Sequence, residues 1–383
     1  IDFYKQKEDA ERAKAIAEAN KKGWPIIIKD EKGSVQELMA LTPDGYPIYY
    51  ATTNVAAARS TRANFLHTGG GMGLTLNGQG MVARVWDGDV VRRTHSGFSG
   101  RVTTVDDTRS VFTSNDSQHA THVTGTVIAL PWGSTSANIK GMASQATART
   151  FNWTDDETEA LSEVSLGMLV SNHSYGVPVT GSNGPLPAWY IGSYVEDSRA
   201  WDEIAYLAPF YLPVYSAGND GLNNDNSQPI IFGFDKLVGN KVAKNVLTVA
   251  NAQDAMIAAD GSLVSVSISA SSSQGPSDDR RIKPDIAADG TNLYSSSNSS
   301  VTSYGTSTGT SMASPSVAGS VILLQQHYNN LHQSYMRAST LKGLVCHTSL
   351  DDSNYVGPDP FFGWGLLNAK AAAQAITSNG LNA

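Results

Sequence analysis

The chain has 383 residues, 40% of them hydrophobic and 16% charged, with a formal net charge of −8 at neutral pH. That length suits one large domain, or a domain with a smaller appendage, and the composition is that of a globular protein rather than a disordered or fibrous one. An acidic balance without basic blocks argues against nucleic-acid binding, which rests on phosphate neutralisation, and no apolar run reaches the roughly 18–20 residues that span a membrane.

The single cysteine, Cys346, excludes an internal disulfide and a cysteine zinc cluster, and is expected to be a small buried apolar side chain. The first residue is Ile1 rather than Met, which suggests a processed chain and hints at export.

Residues 1–24 read as an amphipathic surface helix, with Asp2 as a cap, Glu8 and Arg12 paired at i,i+4, and Lys21, Lys22 and Gly23 at its C-terminal end. Three strand-like runs follow, "WPIIIKD", "VQELMAL" and "YPIYYATT", separated by the turn signals "EKG" and "TPDG". Residues 1–55 are thus expected to form a helix-plus-meander extension. Residues 56–79, with "HTGGGMGL", read as a connector, because these glycines lack the strand–glycine–helix context of a dinucleotide loop.

From Gly80 to the end at residue 383 the pattern changes. "GMVARVW", "GMLVSNHSYG", "FYLPVYSAGND" and "KNVLTVANA" read as strands, and "HATHVTGTVIAL", "VEDSRAWDEIAYLA" and "SMASPSVAGSVILLQQHY" as helices. Strands interleaved with helices predict an α/β, three-layer fold around a central, mainly parallel sheet. Such sheets place their sites at the carboxyl ends of the strands. Asp87, Ser174 and Asn219 all fall where a strand gives out.

"YGTSTGTSMASPSVAG" (304–319) leads from hydroxyls and glycines into an apolar helix. Gly309 and Thr310 allow a tight approach, Pro315 suits a first helical turn, and Ser311 sits at the positive helix end, where free N–H groups can meet an anion. A serine becomes a nucleophile only when a base takes its proton and donors hold the developing oxyanion. Ala313 rules out the G-x-S-x-G elbow.

"VWDGDV" (85–90), "HATHVTG" (119–125), "SYG" (174–176), "SAGND" (216–220) and "GTSMASPSVAG" (309–319), with "SSSQGPSDDRRIKPDIAADGT" (271–291) and "GWGLLNAKAAA" (363–373), together resemble the subtilisin-like serine peptidases. The resemblance runs from about Gly80 to Ala375, and the chain order Asp, His, Ser is that of the subtilisins. It implies Ser311 as nucleophile, His119 as its base and Asp87 as the carboxylate that orients the imidazole. Asn219 would donate to the oxyanion beside the Ser311 N–H. Ser174, Tyr175 and Gly176 would pair with an extended substrate, with Ala217 and Gly218 on the opposite wall.

Each assignment has a rival. His119 and His122 lie three apart and could be read as metal ligands, but no third ligand accompanies them. His95 and His173 are alternative bases. Asp89 competes with Asp87, because the family usually has Ser or Thr and then Gly after its aspartate, whereas this chain has Gly88 and Asp89; Ala120 stands where the family prefers glycine. Asp220 is either a pocket-rim residue favouring basic or polar P1 side chains or a solvated turn residue, and Tyr175 is a candidate wall of an apolar subsite. Broad P1 specificity is the expectation.

The resemblance implies a secreted, monomeric enzyme acting on proteins or peptides, with no cofactor required for catalysis. It also allows structural calcium, for which 219–227, 105–110 and 351–359 are oxygen-rich loops without EF-hand spacing. Residues 1–50 are either a retained extension, the favoured expectation, or an inhibitory prosegment with "YPIYY" in the cleft and cleavage near Tyr50–Ala51. Sequencing the N-terminus of active material separates the two. An inactive subtilase-like binding module and an acyl-enzyme transpeptidase are the rival functions.

Overall fold

A computed structural model describes residues 13–29, 35–41, 45, 47–51, 54–107, 109–131, 139–181, 184–352 and 357–379. The expected cap Asp2 and the Glu8–Arg12 pair lie outside them. Residues 13–22 form a helix (α1), which buries Ala15 and Ala19 against Leu38, Trp24, Ile26 and Leu41. The strands are β1 (Ile27–Lys29), β2 (Val35–Leu41) and β3 (Pro47–Ala51), an antiparallel sheet in that order. A small unit with its own apolar cluster therefore precedes the main body.

Residues 56–79 do more than tether. Helix α2 (Asn54–Ser60) and a 3-10 turn at Ala63–Phe65 send Ala57, Ala58, Ala63 and Phe65 into the main core, joined by Leu66 and Leu76. Arg62 is buried there, donating from Nη1 to the carbonyls of Ser60 (2.6 Å) and Leu367 (3.1 Å). A third bond goes from Nε to the Gly261 carbonyl (3.3 Å), so two of the three, those to Leu367 and Gly261, tie the segment to distant chain.

The main body runs β4 (Val82–Asp87), β5 (Val102–Thr104), α3 (Asn115–Ile128), β6 (Thr147–Asn152), α4 (Asp156–Ser165), β7 (Val170–His173), the ribbon β8 (Thr180–Gly181) and β9 (Gly184–Pro185), then α5 (Glu196–Leu207), β10 (Leu212–Ser216) and β11 (Leu247–Ala252). After the ribbon β12 (Met256–Ile257) and β13 (Leu263–Ser265) come β14 (Ile286–Asp289), the hairpin β15 (Leu293–Ser296) and β16 (Tyr304–Ser307), and α6 (Thr310–His332), α7 (Ala338–Thr348) and α8 (Ala369–Asn379). Seven parallel strands form one sheet in the order β14-β11-β10-β7-β4-β6-β5. The expected α/β architecture is present.

Alternating side chains along each strand serve the two faces, as the pleat requires. Val85 and Val214 join the larger core with residues of α3, α6, α7 and α8. Their neighbours Trp86 and Tyr215 point to the other layer, against Trp201 and Ile204 of α5 and Ala160 of α4. The strands are apolar throughout because both faces are covered. Chain direction across the sheet reverses at β4, which lies between β6 and β7, and the carboxyl ends of β4 and β7 are where such a switch opens a crevice.

Helix α6 answers why a buried helix carries so many hydroxyls. Nearly every residue from Thr310 to His327 is buried. Ser316 and Ser320 donate back to the carbonyls of Met312 (3.1 Å) and Ser316 (2.7 Å), and Ser314 donates to Asn172 Oδ1 of β7 (2.8 Å), so each hydroxyl is satisfied without water. Gly319 allows close approach: a Cβ there would stand 2.6 Å from Met142 Cβ. Pro315 departs from expectation. The helix starts at Thr310, so Pro315 lies in the second turn, where its missing N–H would have met the Ser311 carbonyl. The Ser174 hydroxyl donates to that carbonyl instead, at 2.9 Å. The structural part of Ser174 is thus to repair the helix.

Candidate active site

Asp87 is the last residue of β4 and is buried; its Oδ1 accepts the Gly88 N–H at 2.8 Å. Helix α3, capped by Ser114, carries His119 to it, and Nδ1 lies 2.8 Å from Oδ1 and 3.0 Å from Oδ2. A carboxylate only accepts, so Nδ1 holds the proton. His119 Nε2 makes no hydrogen bond among the described residues. Burial disfavours a charge on this ring, but the attraction of Asp87 and then Asp116 outweighs it, and the pKa lies above the usual histidine value.

Asp89 turns the other way. It pairs with Arg109 at 2.5 Å and accepts from the Val90 N–H (2.7 Å) and the Ser114 hydroxyl. Of the two aspartates, Asp87 alone meets His119. The other histidines are also occupied elsewhere. His122 Nε2 faces the Leu293 and Gly305 carbonyls, and His95 Nε2 faces that of Ser303. Buried His173 lies in an aromatic stack between Trp86 and Tyr215, with ring centroids at 5.1 and 4.4 Å. Burial holds its pKa well below the histidine range, and Ser171 and the Tyr175 hydroxyl occupy its nitrogens. This stack under the strand ends had no linear signature: its members come from β4, β7, α5 and β10.

Beyond β7, Ser174 and Ser311 make reciprocal contacts: the Ser174 hydroxyl donates to the Ser311 carbonyl and the Ser311 hydroxyl to the Ser174 carbonyl (3.1 Å). Trp86 of β4 is in register with His173 of β7, the last pair of that ladder, and Asp87 and Ser174 follow these two residues in the chain. The Asp87–His119 pair and the Ser174–Ser311 pair therefore lie at the carboxyl ends of adjacent strands.

Asn219, after β10, has a fixed amide. Its Oδ1 accepts from the Thr310 N–H (3.0 Å) and hydroxyl (3.1 Å), while the Thr310 hydroxyl accepts the Gly218 N–H (3.1 Å). Its Nδ2 has no acceptor among the described residues. The Ser311 N–H, in the first turn of α6, has no intrahelical acceptor either. Ser174, Tyr175, Gly176, Gly218, Asn219 and Ser311 line a cleft of about 250 Å³.

Other assignments shift in detail. Tyr175 borders the cleft, and its hydroxyl is held by Asp156 Oδ2 (2.5 Å) and His173 Nδ1 (2.7 Å). Ala217 is buried behind the wall with Leu237 and Val242. Cys346 is only half-buried, and burial raises its thiol to about 11. In the acidic loops, Asp107 pairs with Arg109, and Asp225 accepts from the Thr180 hydroxyl. Asp351, Asp352 and Asp359 each bring one carboxylate oxygen within 4.8 Å of the others.

A parallel α/β sheet with a helix-initial serine at its strand ends is the architecture of one group of serine hydrolases. Residues 78–365 match the model of the Subtilase family, and the chain belongs to that family. It is 37% identical over 123 residues to the PII-type proteinase of Lactococcus lactis subsp. cremoris, covering 28% of this chain and 6% of that protein. With Bacillopeptidase F of Bacillus subtilis it shares 28% identity over 270 residues, 69% of this chain and 17% of that protein. The chain thus spans only a small part of the length of these relatives. Among solved structures, the self-cleaved protease domain of PatA superposes with a TM-score of 0.58 at 19% identity, covering 79% of this chain and 99% of that one. The Clostridium perfringens CspB protease gives 0.61 at 15%, covering 84% and 99%. These two likenesses concern the fold. Among the described residues, no helix is long and apolar enough to cross a membrane.

Proposed function

We propose that the protein is a serine endopeptidase that hydrolyses peptide bonds through an acyl-enzyme on Ser311. The observation that carries this is the Asp87–His119 hydrogen bond at the end of β4, beside the strand that leads to Ser174 and its partner Ser311, with His119 Nε2 left unspent among the described residues. His119 Nε2 takes the Ser311 proton as Oγ attacks the scissile carbonyl carbon. The carbonyl oxygen, now negative, accepts from Asn219 Nδ2 and the Ser311 N–H. The C–N bond breaks as His119 returns the proton to the amine, and water then releases the acyl group by the same steps. An extended substrate adds as a strand beside Ser174–Gly176.

Treatment with a fluorophosphonate, read by intact mass, together with sequencing of peptides released from casein, tests this. One adduct on Ser311 and new internal termini are expected. Absence of both from folded protein points to a binding module, and ligated peptides in the presence of an amine point to acyl transfer. Replacement of Asn219 by alanine is expected to lower kcat by about 10²–10³ with little change in KM, because the lost donor acts mainly in the transition state.

A structural divalent cation belongs to the same proposal. Asp351, Asp352 and Asp359 fit it, because buried Asp359 Oδ2 has no partner among the described residues and burial, foremost, raises its carboxyl. Calcium would need further oxygens to reach six to eight ligands. Chelation is expected to lower the melting temperature and added calcium to restore it; unchanged melting with no heat on titration removes the cation.

A further inference from the structure

The end of the cleft beyond Ser311 holds a charge that linear motifs did not reveal. Lys241 lies on the 3-10 turn Gly239–Val242, between β10 and β11, and is 3% exposed. Its ammonium has one hydrogen-bonding partner among the described residues, the Val177 carbonyl at 3.4 Å, and no ion pair. Two of its three N–H donors are therefore unspent, although a buried charge ordinarily demands a partner. Lys283 shows the usual solution: equally buried, it pairs with Asp285 at 2.6 Å and also donates to Thr248 and Val246. Among the described residues Lys241 has no anion at ion-pair distance, and Asp220 acts on it only as a longer-range attraction.

The walls around it are cut back. A Cβ on Gly176 would lie 2.7 Å from Lys241 Cε and 3.0 Å from Nζ, and one on Gly218 would lie 3.1 Å from Nζ. The same two glycines, with Ser311 and Asn219, line the cleft into which Lys241 projects. A substrate residue whose carbonyl carbon lay at Ser311 would have this cleft beside it for its side chain. A side chain ending in an anion would meet the unspent N–H groups.

We propose that Lys241 is a specificity-determining residue that makes the cleft a receptor for an acidic P1 side chain, so that the protease cuts after glutamate. The proposal rests on the peptidase reading above and replaces the expectation of broad P1 specificity. Asp220, the earlier candidate for attracting basic residues, belongs to the rim. Its N–H is held by the Ser273 hydroxyl (3.0 Å), and the positive charges of Lys236 and Lys241 both interact with it. A basic P1 side chain would drive its charge against the Lys241 ammonium at the end of the cleft. Burial lowers the Lys241 pKa to about 8, with Asp220 opposing the fall, so the ammonium form still predominates at pH 7.

Peptides identical except for Glu, Gln, Leu or Lys at P1 test this on the full chain, alongside fluorophosphonate labelling of Ser311. For the unaltered protein, kcat/KM for Glu is expected to exceed that for Gln by at least about tenfold, the discrimination of a charge-assisted hydrogen bond. In Lys241→Met the Glu advantage should vanish and Leu should become the preferred residue, while labelling persists. Labelling of the unaltered protein without preference for Glu overturns the P1 assignment and leaves the peptidase reading standing. Neither labelling nor cleavage overturns both. A variant that fails to fold alters nothing, because the unaltered protein's own preference decides.

Discussion

Ser311→Ala is expected to lower kcat by on the order of 10⁶ and to remove the fluorophosphonate adduct, while leaving the melting temperature close to that of the unaltered protein. The magnitude follows from the proposed acyl-enzyme on Ser311: the neighbouring Thr310 hydroxyl is buried and held by Asn219 Oδ1 and the Gly218 N–H, so residual turnover would come from Asn219 and substrate binding. Stability should change little. Among the described residues the Ser311 hydroxyl makes one hydrogen bond, to the Ser174 carbonyl at 3.1 Å, whereas the contact that repairs the helix uses its backbone carbonyl. Alanine keeps that carbonyl in place. Measurement of kcat with the best substrate, circular-dichroism melting and intact mass together test the prediction. Retained labelling at another site would place the nucleophile elsewhere.

Asp87→Asn is expected to cost about 10⁴ in kcat. The carboxylate accepts from both His119 Nδ1 and the Gly88 N–H, which requires the Nδ1–H tautomer and leaves Nε2 able to take a proton. An amide of the same shape can donate to Nδ1 and so stabilise the opposite tautomer, with Nε2 already protonated. A change in pH dependence should accompany the loss. Burial lowers the His119 pKa, and Asp87 is the larger of the two attractions that reverse this. Without the negative charge, burial dominates and the pKa falls. Since the proposed base is the neutral imidazole, the acidic limb of kcat/KM should move to lower pH, even as the plateau drops. A limb that stays in place in Asp87→Asn would show that another group sets it.

Much of the candidate site was legible because the residues that compose it are concentrated in short motifs. Asp87 closes an apolar strand, His119 lies on an alternately apolar helix, and Ser311 sits among small residues ahead of one. The choice between Asp87 and Asp89 was less legible. Both are short acidic side chains at the end of β4, and the departure at Gly88–Asp89 gave no reason to prefer either on hydrogen bonding. Arg109 and Ser114 decide the matter by holding Asp89 away from His119. The same limit applied to Pro315, whose place in α6 depends on where the helix starts, and to His173, whose role depends on a stack gathered from four elements.

The sequence by itself determined the alternation of strands and helices, the family motifs and the residue types capable of nucleophilic chemistry. These are encoded locally, through periodicity and through neighbours a few positions apart. The tertiary structure alone decided that the hydroxyl of Ser174 would serve the carbonyl of Ser311, 137 residues away, and that Lys241 would approach the chain at Val177, 64 residues away. Such meetings depend on the order in which β7 and β10 pair and on where α6 packs. An unspent ammonium between two glycine walls is therefore a property of the folded chain, and no local pattern announces it.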